Sequence, residues 1–217
     1  HHARPELRLA VAAVAGVLAL LAPVAATSAA AGAACSFCGK NLIKNPGADA
    51  GKGQNAPGEV GNVPGWTSTG GQFGAAAWTG FGVGWFSASS KGPANRGKNY
   101  FFGGTTPAAT SAKASIGQQT IKLPAAAAGH TATLSGWLGN YGSNTASVRA
   151  EFADASGRVL AAIRIGPDST IGSSDMALRS RHGVVPHGAV AAMVVITFTD
   201  HANYNLAGAD SLSLVLG

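Results

Sequence analysis

An all-β chain folded as a jelly-roll sandwich is what this sequence predicts, on three observations. Apolar residues between Thr131 and Ile165 recur at every second position, the period of strands with one buried face. No segment holds a helical period over three turns, and 31 glycines, many set among aromatics between Gly51 and Gly104, indicate long connections between short strands. Eight to ten such strands with glycine-rich links fit a sandwich better than any helix-bearing class.

The stretch 1–34 has the make-up of a secretory signal. Arg4 and Arg8 form a short basic region, Leu9 to Leu21 is an apolar core, and small residues follow to Ala34. That core falls short of the roughly 20 residues a spanning helix needs, and no later run exceeds it. The expected organisation is therefore a signal peptide over 1–34 and one β-sandwich domain over 35–217, placed outside the cell. Acylation of Cys35, giving a lipoprotein, is the alternative; Gly32-Ala33-Ala34-Cys35 lacks the usual branched residue and stands far from the apolar core.

The net charge is +6, and the chain stays basic once Arg4, Arg8 and Glu6 of the leader are set aside. The remaining basic residues stand singly from Lys40 to Arg181, without the clustering of a nucleic-acid footprint, so attraction to anionic cell-wall polymers is the expected use of the charge. Cys35 and Cys38 are the only cysteines. In an oxidising compartment, with two residues between them, they are expected to form a local disulfide at the N-terminal end of the domain. A redox-active pair would need a helix N-terminus in a βαβ setting, and two cysteines alone do not complete a zinc site.

Along the domain, Asn41 to Asp49 reads as a short strand running into a Pro46-Gly47 turn. Trp66, Phe73, Trp78, Phe81, Trp85, Phe86, Tyr100, Phe101 and Phe102 are spaced through the glycine-rich stretch. Pro64-Gly65-Trp66 and Asn99 to Phe102 begin strands, and Trp78 to Trp85 forms an aromatic loop. Its glycines offer little to bury Trp78 and Trp85, which marks both as candidate exposed aromatics. Ser115 to Leu123 is a strand closed by Pro124, and the alanines up to Gly129 form a loop.

Thr131 to Tyr141 is the clearest strand. Ala132, Leu134, Gly136 and Leu138 share one face, while Thr133, Ser135, Trp137, Gly139 and Tyr141 share the other. The next strand turns Val148, Ala150 and Phe152 inward and Ser147, Arg149, Glu151 and Ala153 outward. After an Asp154-Ala155-Ser156-Gly157 turn, Val159, Ala161, Ile163 and Ile165 resume the inward face. Met176 to Val185, Ala191 to Thr199 and Ala209 to Leu216 complete the set, the last with Leu212, Leu214 and Leu216 inward. A Trp and a Tyr on the solvated side of a strand suggest a binding surface.

Several of these stretches carry a resemblance. Asn41-Leu-Ile-Lys-Asn-Pro-Gly-Ala-Asp49, Val63-Pro-Gly-Trp66, Gln118-Gln-Thr-Ile121, Leu134-Ser-Gly-Trp-Leu-Gly139, Phe152-Ala-Asp-Ala-Ser-Gly157 and Gly208 to Leu216 resemble, in order and placement, the galactose-binding-like jelly rolls. These include the carbohydrate-binding modules appended to bacterial xylanases and cellulases, and many secreted actinobacterial proteins. The resemblance implies a non-catalytic sugar-binding sandwich, commonly with one structural calcium. In that family an acid after the Asn-Pro-Gly turn and an Asp opening the final strand share the metal. Here they are Asp49 and Asp210, with Asp49 in place of the more usual Glu. The alternative for both acids is that each caps nearby backbone N–H groups.

Catalysis is poorly provided for. Outside the leader there are two Glu, Glu59 and Glu151, and six Asp from which to draw the carboxylate pair of a glycosidase. Glu151 stands two residues from Arg149 on one strand face, where an ion pair accounts for both. His182, His187, Asp200 and His201 match no metal-ligand spacing. Two functions from different classes remain. One is glycan binding, with Trp137 and Tyr141, or Trp78 and Trp85, stacking on pyranose rings and Asn140, Arg149 and Glu151 bonding hydroxyls. The other is a structural or adhesion protein using the same sandwich against protein or cell surface.

Overall fold

Ten strands build two five-stranded antiparallel sheets among the residues that the computed structural model describes, namely 35–56, 61–79, 85–104, 113–167, 174–201 and 204–217. The expected signal peptide over 1–34, Glu59 and Phe81 lie outside the described residues. The strands are β1 (Thr67–Gly70), β2 (Gly74–Ala77), β3 (Asn99–Phe102), β4 (Ala114–Lys122), β5 (Thr131–Asn140), β6 (Thr145–Ala153), β7 (Val159–Ile165), β8 (Asp175–Val184), β9 (Ala191–Thr199) and β10 (Gly208–Leu216). One sheet runs β1-β4-β9-β6-β7 and the other β2-β3-β10-β5-β8. This is the jelly-roll sandwich the sequence predicts. Among the described residues no helix is long and apolar enough to cross a membrane.

Alternation explains the layering. Leu134 and Leu138 of β5, Leu212, Leu214 and Leu216 of β10, Val148, Ala150 and Phe152 of β6, and Val194, Ile196 and Phe198 of β9 are all buried in one core between the sheets. Phe73 stacks on Phe198 at 6.2 Å and on Phe101 at 5.9 Å, tying the two sheets together. Truncating such a ring to alanine costs about 3–5 kcal/mol, because the lost transfer energy adds to the cavity left behind.

Three local expectations change. Asn41 to Asp49 is not a strand; the Asn41 side chain accepts from Ile43 N–H and Leu214 N–H and donates to the Leu212 carbonyl, standing in for ladder bonds. The segment still lies along β10, where β3 pairs only with Gly208 and Ala209, and it supplies Gly39 N–H to Leu216 and Leu42 N–H to Leu214. Val159 faces solvent, because a register shift opposite Phe152 and Ala153 turns Leu160 toward the core instead. The alanines before Gly129 wind into one short 3-10 turn, Ala125–Ala127.

Strands β5 and β6, consecutive in sequence, belong to different sheets. The turn at 141–144 therefore carries the chain across the sandwich. Residues that look outward on β5 and on β6 emerge on opposite faces of the molecule.

Candidate functional site

The outer face of the β2-β3-β10-β5-β8 sheet is where aromatic side chains gather. Register places Phe102, Gly208 and Gly139 in one row, and Asp210 across from Trp137, which in turn stands across from Leu178. Over this face the chain from Trp85 onward lays a second apolar layer. Ala76, Trp78, Trp85, Phe86, Tyr100, Phe102, Met176 and Leu206 form a buried cluster, with Trp137 and Tyr141 packed on its margin. Trp85 lies over Phe102 at 4.5 Å, Phe86 meets Tyr100 edge-on at 5.2 Å, and Trp78 tilts against Tyr100 at 4.9 Å.

This corrects the expectation that Trp78 and Trp85 are exposed. They retain 4% and 8% of their surface. Their glycine neighbours do not bury them; β3 does, because its outward Tyr100 and Phe102 supply rings to pack against. Trp137 and Tyr141 stay partly exposed, on the side of the sheet that the alternation of β5 predicts. Asn140 is buried and donates its side-chain N–H to the Gly142 carbonyl, so it builds the turn after β5 rather than meeting solvent.

Arg149 and Glu151 form an ion pair at 2.6 Å, with 43% and 16% of their side chains exposed. They sit on the outer face of the other sheet. The aromatic pair and the charged pair expected to act together are thus on opposite sides of the sandwich.

Beneath the aromatic layer lies a polar centre that brings together the expected pair Asp49 and Asp210, with Trp78 and Arg96 in parts that the sequence does not announce. Trp78 donates its indole N–H to Asp210 Oδ2 at 3.2 Å, and the Arg96 guanidinium covers the Trp78 ring at 4.4 Å. The same guanidinium donates to the carbonyls of Ser87, Ala88, Ser90 and Pro93, so one side chain folds the covering loop and seats it on Trp78. A lone arginine in a Gly-Pro-rich loop has no sequence signature that would reveal this role.

Asp210 sits at a bulge in β10, followed by Ser211 in left-handed conformation at φ 50°, and accepts the Ser211 N–H at 2.6 Å. Asp49 Oδ1 accepts Lys98 N–H at 2.6 Å and Asn99 N–H at 2.9 Å. Gly97 permits this, since a Cβ at that position would collide with the Asp49 carboxylate. A Cβ on Gly47 would stand 2.9 Å from both Asp49 Oδ2 and Asp210 Oδ1, so the two oxygens face each other across a single glycine.

Burial pushes the Asp210 carboxyl up to about 7, against the Ser211 N–H that favours its charged form; the Asp49 charge raises it further, and Trp78 and Arg96 oppose. Two facing carboxylates, one of them buried, with an open glycine cradle, fit a hard divalent cation with oxygen ligands. Each acid also accepts backbone N–H groups, as the capping alternative expects.

Cys35 and Cys38 are joined in a disulfide, with Cys38 Sγ 3.6 Å from His130 Nδ1. His182, His187 and His201 are exposed and dispersed.

No protein-family model matches this sequence, and no curated protein matches it. Among solved structures, the enzymatically active domain of tailspike protein 4 from bacteriophage CBA120 is similar at a TM-score of 0.55 and 16% identity, over 82% of this chain and 21% of that one. The arabinose-bound α-L-arabinofuranosidase MgGH51 gives 0.51 at 13% identity, over 83% of this chain and 26% of that one. A family 16 carbohydrate-binding module gives 0.49 at 17% identity, over 81% and 99%. This chain spans about a fifth of the tailspike domain and a quarter of the arabinofuranosidase, and what it shares with them is the fold.

Proposed function

We propose that this chain is an exported glycan-binding sandwich with no catalysis of its own, seating pyranose rings against Trp137 and Tyr141. One observation carries the reading: both residues remain partly exposed while packing on a sealed aromatic cluster. A ring held by its neighbours loses little further freedom when a sugar stacks on it, which is the condition under which aromatic contact yields affinity. Trp78 and Trp85 then serve as the bed of the platform, and Arg149 and Glu151, on the far face, take no part in it.

The carboxylates support a binding role. Asp210 is 1% exposed and bonded to the Trp78 indole, so it does not offer the accessible carboxylate that glycoside hydrolysis needs. We assign Asp49 and Asp210 to a structural calcium, which would join the start of the domain to its last strand.

Affinity electrophoresis through cellulose, xylan, chitin or peptidoglycan tests the proposal. Retardation by at least one polymer that Trp137→Ala abolishes and Arg149→Ala leaves intact is the expected result. No retardation by any of them would instead favour the structural or adhesion reading, for which Leu178 and Val184, 54% and 58% exposed on edge strand β8, are the observation in its favour.

A further inference from the structure

We infer that the cleft between β7 and β8 is a second binding site, for the carboxylate or sulfate groups of an anionic polysaccharide. Strand β7 ends one sheet and β8 ends the other, and the two edges meet along one side of the sandwich, where a Cβ on Gly183 would stand 3.0 Å from Ile163. Between them opens a cleft of about 250 Å³ lined by Arg164, Gly166, Pro167, Arg179, Ser180 and Arg181. The basic residues that look scattered in the sequence are brought together here by the crossing of the chain between sheets.

The arginines are placed against one another's charge. Arg164 stands directly across from Arg149 in the β6–β7 register, and like charges in that position repel. Glu151 compensates Arg149 alone. Arg179 and Arg181 follow at alternate positions of β8, on one face and about 7 Å apart along the strand. Arg164 reaches the Ser147 hydroxyl, at 3.4 Å, and among the described residues neither it nor Arg181 meets a carboxylate. Arg179 also donates to the Leu178 carbonyl, and the three arginines lining one cleft offer guanidinium groups of the kind that bond a planar carboxylate or a sulfate through parallel N–H groups. Among the described residues that line the cleft there is no aromatic side chain on which a nucleic-acid base could stack, which favours a charged sugar over a nucleic acid.

The inference borrows from the glycan-binding proposal only the polymer that carries the anion; its surface is separate from Trp137. Retention of the full chain is compared on polygalacturonate, dextran sulfate, neutral dextran, xylan and duplex DNA, for the native protein, Arg164→Gln/Arg181→Gln, and Lys44→Gln/Lys122→Gln as a charge-matched control at exposed positions off the cleft. Expected is binding to one or both acidic polysaccharides that the arginine double variant weakens by roughly ten- to a hundredfold, in line with loss of charge-assisted bonds. The lysine control should stay within about twofold, and added salt should weaken binding to the native protein. Polygalacturonate against dextran sulfate separates carboxylate from sulfate as the group recognised. Equal losses in the two double variants would reduce the effect to diffuse charge and overturn the site, as would equal binding to dextran and dextran sulfate, or tighter binding to DNA. Loss of neutral-polymer retention in Trp137→Ala with acidic binding unchanged would separate the two surfaces; failure to bind any of cellulose, xylan, chitin and peptidoglycan would sink the first proposal and leave this one standing.

Discussion

Trp78 and Asp210, far apart in the chain, meet through a single hydrogen bond of 3.2 Å beneath the aromatic layer. It joins the loop that covers the outer face to the strand at the middle of the sheet, and with the Ser211 N–H it supplies the donors to a buried carboxylate. Replacing Trp78 by Phe keeps most of the ring's packing and removes the donor. The expected loss is about 1–3 kcal/mol in urea-induced unfolding, the cost of leaving a buried acceptor short of a partner. Trp78→Ala should cost more, about 3–5 kcal/mol, since Arg96 and Tyr100 also lose their contact. Equal stability of Trp78→Phe and the native chain would show that the bond contributes nothing.

The raised Asp210 carboxyl makes a prediction about pH. Its ordinary value is 3.8 and in the folded chain it is about 7. Between those limits the native state holds a proton that the unfolded chain has released, so this group makes stability fall as pH rises from about 4 to about 7, by up to about 1.4 kcal/mol per unit. Asp154, held down to about 2, acts below this window and does not mask it. Asp210→Asn should flatten the dependence in metal-free buffer. A native protein whose stability climbs steadily from pH 4 to 7 after chelation would contradict the assignment.

Calcium at the proposed site would reverse that sign. An ion between Asp49 and Asp210 stabilises both as carboxylates and favours the folded chain, in which alone they come together. At pH 7.5, calcium at a hundred times its dissociation constant should add about 2.7 kcal/mol, raising Tm, and chelator should remove the gain. Asp49→Ala should be insensitive to both additions. No calcium-dependent shift in the native protein leaves the two acids as caps of their turns.

What the sequence reveals here follows from where periodicity carries information. Strict alternation in β5 and β10 put Leu134, Leu138, Leu212 and Leu214 in the core and Trp137 on the outward side, because a strand with one packed face admits only one phase. Alternation fixes the side of a strand but not the sheet to which the strand belongs. Trp137 and Arg149 therefore look like neighbours in sequence and lie on opposite faces. Trp78 and Trp85 sit in a stretch without any period, and their burial depends on Tyr100 and Phe102, a tertiary fact with no local trace. The arginines of β7 and β8 were hidden for the same reason, being separated along the chain and adjacent only once the sheets close.

The Cys35–Cys38 bridge closes a very short loop, and the chain-entropy stabilisation of a disulfide grows with loop length. Reduction should therefore change Tm little. The backbone bond from Gly39 to Leu216 and the Asn41 side-chain bonds to β10 hold the segment independently of the bridge. Thermal unfolding of Cys35→Ser/Cys38→Ser, compared with the oxidised chain, checks this; a collapse of the transition would give the bridge a structural weight that its loop length does not supply.

Trp137 differs from the buried aromatics of its face in being partly exposed while it packs on their cluster. Trp137→Ala should weaken retention on whichever polysaccharide the chain binds by about 1–3 kcal/mol, as loss of an aromatic anchor does, and Tyr141→Ala should do so in the same direction. Arg149→Ala should not, since Arg149 emerges on the opposite face and is bonded to Glu151 at 2.6 Å. The contrast matters more than either value. If Arg149→Ala and Trp137→Ala weakened binding alike, the sugar would have to reach both faces of the sandwich or the loss would reflect instability, and a matched urea titration separates these. If Arg149→Ala alone weakened it while both aromatic variants bound normally, the binding surface would be the β1-β4-β9-β6-β7 sheet, and the partly exposed Trp137 and Tyr141 would be the rim of a sealed layer.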